Sequence, residues 1–226
     1  MFESKTRSII IPQYEHGRMA GTLASLWGNE NFEKPEIDFD AFVNGVTLHD
    51  WHYGRVDNLS IGGASESAWA ALVQRGVDYC FDDPVTDIVV KKHIRRLLSG
   101  HTSAQAEKLK EGIENRIAER LGETSFSPDA FAWADKITAF CDMVAFDFAF
   151  EEPLKRKISV YLKQGNSTEV EIEYEIVGNS EIVVFPWPFS VESVHGIVVG
   201  YEAEKYPDVL VPKPVTFTIR SNCSLI

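Results

Sequence analysis

The chain changes its hydrophobic period near Pro153. Before it, apolar residues recur every three or four positions; after it, they alternate. The first pattern predicts helices. One runs from about Gln13 to Trp27, with Met19, Ala20, Leu23 and Trp27 on one stripe and Gly28-Asn29 as its stop. A short strand, Ser8 to Ile11, precedes it and ends at Pro12. A second helix covers Phe39 to about Asp50, with Phe42, Val46 and Leu48 apolar. Ser65 caps a third, which reaches about Tyr79 through Trp69, Leu72 and Val73. Pro84 fits the first turn of a fourth, ending at Leu98. Ser103 to Leu121 is rich in Lys and Glu and reads as a surface helix. Ser127-Pro128 opens the last, through Trp133, Ile137, Phe140, Val144 and Phe148.

The second pattern predicts strands. Glu169 to Ile176 alternates strictly, so Val170, Ile172, Tyr174 and Ile176 are expected inward and the glutamates outward. Gly178-Asn179 is a hairpin signal leading into Glu181–Phe185. Lys157–Leu162, Gly196–Tyr201 and Val215–Ile219 complete a sheet of about five strands. The expected fold is mainly α with β: a helical domain over residues 1–152, then a small antiparallel β-sheet region over 153–226. The two are expected to pack together, because no Gly/Ser-rich linker separates them.

Composition narrows the function. The 226 residues are 44% hydrophobic and 25% charged, enough to bury a core. The net charge of −12 argues against nucleic acid as a partner, because phosphate backbones are held mainly by Lys and Arg. A small anionic substrate stays possible if a metal supplies local positive charge. No apolar run approaches the ~18 residues of a membrane span, and the N-terminus does not read as a signal peptide. Cys80, Cys141 and Cys223 are too few and too scattered for a disulfide framework or a zinc knuckle. A cytoplasmic, reduced protein is expected.

The histidines carry the chemistry. His16 has Met19, Ala20 and Leu23 at i+3, i+4 and i+7. His49 has Phe42 and Val46 at i−7 and i−3, and His93 has Val89, Val90 and Leu97 around it at helical spacing. All three are therefore expected on buried stripes. Asp142 lies among Thr138, Ala139, Ala145 and Phe146, where a carboxylate is costly unless compensated. Each residue alone is ordinary: a core histidine, or an acid paired with an arginine. Together they place imidazoles and a carboxylate on four helices, all able to face one divalent cation. Lesser signals are Gly62-Gly63-Ala64-Ser65, which could hold an anion before a helix, and the basic run Lys91, Lys92, Arg95, Arg96. Cys141 reads as core, His101 and His195 as surface, and Trp187 as filler at the sheet–helix junction.

The dipeptide His49-Asp50 resembles the signature of the HD-domain superfamily of metal-dependent phosphohydrolases. That resemblance implies a metal held by His16, His49, Asp50 and Asp142, in that chain order, with His93 and His101 in the interval where some members carry a second metal. The segments Gln13 to Gly21, His49-Asp-Trp-His, Lys92 to Leu97, Phe140-Cys-Asp142 and Pro186-Trp-Pro-Phe189 look like a bacterial family of unknown function with an HD-like helical part and a β tail. This chain reads His49-Asp-Trp-His-Tyr-Gly54 where that family reads His-Asp-x-Gly-Trp, which leaves the role of His52 open. The expected function is hydrolysis of a small-molecule phosphate ester or anhydride by metal-activated water. Asp50 would orient the water. His93 would serve as general acid or second-metal ligand, and Arg95 or Arg96 would neutralise a phosphate oxygen. The metal could be Fe, Mn, Zn, Ni or Mg. The alternatives are a binding or regulatory protein that keeps the pocket, or an HD-like diiron oxygenase.

Overall fold

The computed structural model describes residues 1–4, 6–54, 57, 60, 63, 65–151, 155–163 and 169–222. Pro153, Gly62, Ala64 and Cys223 lie outside the described residues. Among the described residues six α-helices form: α1 (Gln13–Ser25), α2 (Phe39–Thr47), α3 (Glu66–Asp78), α4 (Pro84–Leu97), α5 (Ala104–Leu121) and α6 (Pro128–Phe150). Their starts follow local chemistry. Asp38, Ser65, Asp83, Ser103 and Ser127 each accept a hydrogen bond from a backbone N–H three residues on, satisfying a donor the helix leaves unpaired. Among the described residues, no helix is long and apolar enough to cross a membrane.

Seven strands form one mixed sheet: β1 (Phe2–Glu3), β2 (Ile9–Ile11), β3 (Lys155–Tyr161), β4 (Glu169–Val177), β5 (Glu181–Phe185), β6 (Ser193–Glu202) and β7 (Pro212–Ser221). The order is β1-β2-β6-β7-β5-β4-β3. This corrects the expected fold in two ways. The sheet is neither small nor wholly antiparallel, since β7 inserts between β6 and β5 and runs parallel to β5. Residues 1–152 are also not all helical. Ile9 and Ile10 pair with Glu202 and Tyr201, so the start of the chain extends the sheet built by its end. On β4, Ile172, Tyr174 and Ile176 are buried and Val170 is partly so, as the alternation predicts.

Helix α6 joins the two layers. Phe140 meets Trp27, Tyr174 and Phe189 in one aromatic cluster. The Pro-Trp-Pro-Phe turn docks on the end of α1: Gly28 N donates to Pro188 O at 2.9 Å, and Ser190 N to Leu26 O at 2.8 Å. Phe189 fills the junction at 2% exposure, while Trp187 stays half-buried. Buried Asp147 on α6 accepts from Tyr174 Oη at 2.5 Å and from Arg156 Nε at 2.8 Å. An Asp147→Ala variant is expected to lose about 1–3 kcal/mol, since it strands a buried hydroxyl. Urea unfolding checks this; an unchanged midpoint would show that the bond contributes nothing.

Candidate metal centre

Helix α2 stops at Thr47, two residues before His49 and earlier than the expected end at Asp50. His49 and Asp50 sit in the following turn, and Trp51–Tyr53 forms a short 3-10 helix. The early stop has a chemical consequence. Adjacent side chains on an α-helix diverge by about 100°, whereas in this turn both reach one centre. His16 arrives from α1, His93 from α4 and Asp142 from α6. All five residues are buried, none more than 7% exposed.

The donor atoms converge. Nε2 of His16 lies 3.0 Å from Nε2 of His49, 3.1 Å from Oδ1 of Asp142 and 3.7 Å from Oδ2 of Asp50. Nε2 of His49 lies 3.4 Å from Asp142 Oδ1 and 3.5 Å from Asp50 Oδ2. Around a cation with bonds of about 2.1 Å, neighbouring ligands stand about 3.0 Å apart in octahedral and about 3.4 Å in tetrahedral geometry. His16, His49 and Asp142 thus have the spacing of cation ligands, and His49, Asp50 and His93 form a second group that could hold an ion. Hydrogen bonding orients them. Nδ1–H of His49 donates to Val46 O at 2.6 Å, so its other nitrogen faces the centre. His16 has no partner for Nδ1; its ring is held by packing on Phe2 and Phe146.

His93 and Arg96 support this shell. A guanidinium cannot accept a hydrogen bond, so its 2.9 Å contact makes Nδ1 of His93 the acceptor. The His93 proton then sits on Nε2 and is donated to Asp50 Oδ1 at 3.1 Å, leaving Oδ2 directed at the centre. Arg96 also donates to Asp142 Oδ2 at 3.3 Å and pairs with Asp135. It is therefore held among protein groups. Arg95 lies outside the cluster, on Glu114 at 2.6 Å. His195 is exposed, and Cys141 is buried core. His52 is fully buried with neither ring nitrogen partnered. Burial lowers its pKa to about 4, so it stays neutral.

Without a cation, protons bind this cage together. Burial alone would lower the His49 pKa, but the Asp50 and Asp142 carboxylates prevail and raise it from 6.5 to about 9. Burial likewise opposes ionisation of Asp50 and Asp142, yet the surrounding imidazoles hold both well below the usual carboxylate range. His49 holds its proton more tightly folded than unfolded. Its contribution is complete below pH 6.5 and is lost as pH rises through about 9. The carboxylates act oppositely, contributing above 3.8 and losing it as pH falls through their depressed values. Metal-free protein is therefore expected to melt highest between pH 3.8 and 6.5, with the melting temperature falling toward pH 9. Melts in chelator across that range test it, and a flat profile from pH 6.5 to 9 would contradict it.

The centre opens into a cleft of about 990 Å³. Asp50, His93 and Asp142 line one end, and Gln13, Tyr53, Trp69 and His101 also reach it. His101 is thus a cleft residue stacked on Trp69, not a plain surface histidine. Sequence periodicity missed this wall, because Tyr53 ends a one-turn 3-10 helix and His101 follows another, segments too short for a period to show. A family model described as a protein of unknown function, DUF3891, matches residues 1–61. The chain is similar to it across α1, α2 and the His49-Asp50 turn, which carry His16, His49 and Asp50. No curated protein and no solved structure gives a significant match.

Proposed function

We propose that the protein is a metal-dependent hydrolase of a small-molecule phosphate ester or anhydride, with an HD-like ligand set. The observation that carries this reading is the convergence of two imidazole nitrogens, 3.0 Å apart, with one oxygen each of Asp50 and Asp142 within 3.1–3.7 Å of them, at the wall of an open cleft. Structural metal sites are closed by protein ligands; catalytic ones leave a side open.

His16, His49, Asp50 and Asp142 would hold the cation. When bound, it supplies Lewis acidity toward a phosphoryl oxygen and water of lowered pKa as nucleophile. Asp50 would orient that water from the ligand position of its Oδ2, with its Oδ1 held by His93. His93 carries its proton on Nε2 at the cleft wall, where a leaving oxygen could receive it. Arg96 restores the tautomer by holding Nδ1 as acceptor. Its part in this reading is to position His93 and Asp142, since its guanidinium is already engaged by them and by Asp135.

The test is elemental analysis of protein purified without a metal-affinity tag, followed by a panel of phosphomonoesters, phosphodiesters and anhydrides. Stoichiometric metal with turnover supports the proposal. Metal with no turnover on a broad panel indicates a binding or regulatory protein. Absence of metal after loading with Fe, Mn, Zn, Ni and Mg refutes it.

A further inference from the structure

We propose that the cleft is a two-part site, taking a phosphate at the metal end and a planar aromatic group of the same molecule against the Trp69–His101 wall. The phosphate half rests on the hydrolase reading; the aromatic half rests on the cleft alone.

The wall is a built surface. The rings of Trp69 and His101 stack with centroids 4.2 Å apart and planes 20° from parallel. Trp69 sits in the first turn of α3, and His101 precedes the cap of α5. His101 is fixed at both ends of its backbone: its N–H donates to Leu98 O at 3.1 Å, and its carbonyl accepts from Lys110 Nζ at 2.7 Å. Both rings are only half-buried and both line the cleft. An aromatic surface already held flat loses little entropy on stacking a planar ligand. The cleft adds apolar surface from Leu72, Leu97 and Met143 for such a ring, beside the polar Glu66, Thr102 and Ser103.

Two further polar groups line the cleft. Burial and the Asp50 charge keep the Tyr53 phenol protonated, so that it can donate to a ligand. Gln13, one turn before His16 on α1, has a buried carboxamide oxygen with no protein partner. A buried acceptor left unpaired costs stability unless a ligand or water supplies its donor. Tyr53 and Gln13 thus offer one donor and one acceptor to a molecule in the cleft.

Calorimetric binding to metal-loaded protein tests this with 1-naphthyl phosphate, ethyl phosphate and 1-naphthol. The naphthyl ester is expected to bind about tenfold more tightly than the ethyl ester, an ordinary gain for stacking on an aromatic side chain. Trp69→Leu should cut that preference below about threefold with metal content unchanged, while Trp69→Phe keeps most of it. If Trp69→Leu does not fold, His101→Ala carries the same expectation. Equal affinity for the two esters, or a preference that survives Trp69→Leu, overturns the proposal. Binding of naphthol but of neither ester, lost in Trp69→Leu, would retain the aromatic half and refute the phosphate reading. No binding of any of the three overturns both.

Discussion

Asp142→Asn and His49→Ala are each expected to reduce metal occupancy from one per chain to less than about a tenth under equilibrium dialysis. Each removes one of four donors. Loss of a group that merely orients a ligand typically costs about 10–100-fold in affinity, and loss of the ligand itself costs more. Asparagine keeps the volume of Asp142, and its oxygen can still accept from Arg96. The variant keeps this packing but loses the carboxylate that helps hold the His49 proton, so it should melt below metal-free wild type at pH 6.5, with the stabilisation by added metal gone. Asp142→Ala is a harsher test, because truncating one member of a buried charge cluster costs about 3–5 kcal/mol. Arg96→Ala should weaken metal binding about 10–100-fold without abolishing it, since it frees His93 Nδ1 and Asp142 Oδ2 together. Arg95→Ala should change neither property, because Arg95 is paired with Glu114 outside the cluster. Full occupancy in both Asp142→Asn and His49→Ala would end the metal reading.

The periodicities carried much of this arrangement. Helical spacing placed His16, His93 and Asp142 on buried stripes because an apolar helical face has only one place to go, the core. The alternation of β4 likewise declared its inner face. Strand order was not legible. An alternating strand records which face is buried and says nothing of its neighbours, so the insertion of β7 beside β5 and the docking of β2 on β6 had no local signal. The turn at His49-Asp50 was read as helix because Val46 and Leu48 continue the apolar period. At the end of α2 the His49 imidazole, three residues on, takes the Val46 carbonyl at 2.6 Å, a local side-chain bond that the apolar period does not record. The role of Arg96 was also hidden. A basic residue beside a histidine reads as a solvated helix face or a phosphate ligand, and only its bonds to Asp135, His93 and Asp142 reveal a support.

Gly17→Ala and Gly21→Ala are expected to destabilise the protein by about 1–3 kcal/mol each and to weaken metal binding, although alanine is the better helix former. Helix α1 meets the end of α2 through these two glycines. A Cβ on Gly17 would stand 2.7 Å from the backbone oxygen of Thr47. One on Gly21 would stand 2.9 Å from the Thr47 Cβ and 3.0 Å from its Cα. Backbone atoms cannot rotate aside, so α2 must move away. The same two helices fix His16 and the start of the His49 turn, whose nitrogens are 3.0 Å apart. A site of this kind works only when held to within about 0.5 Å, so the displacement would disturb the proposed centre before it unfolds the chain. Gly112 supplies the contrast. In mid-α5 its added Cβ would meet only the Val77 side chain, at an ordinary 3.6 Å. Gly112→Ala should therefore gain up to about 1 kcal/mol, the usual helical advantage of alanine over glycine, and leave metal binding alone. Denaturant midpoints and metal titrations on the three variants give the answer. If Gly17→Ala and Gly21→Ala gain stability as Gly112→Ala does, or keep wild-type metal affinity, the close approach of α1 and α2 does not set the geometry of the centre.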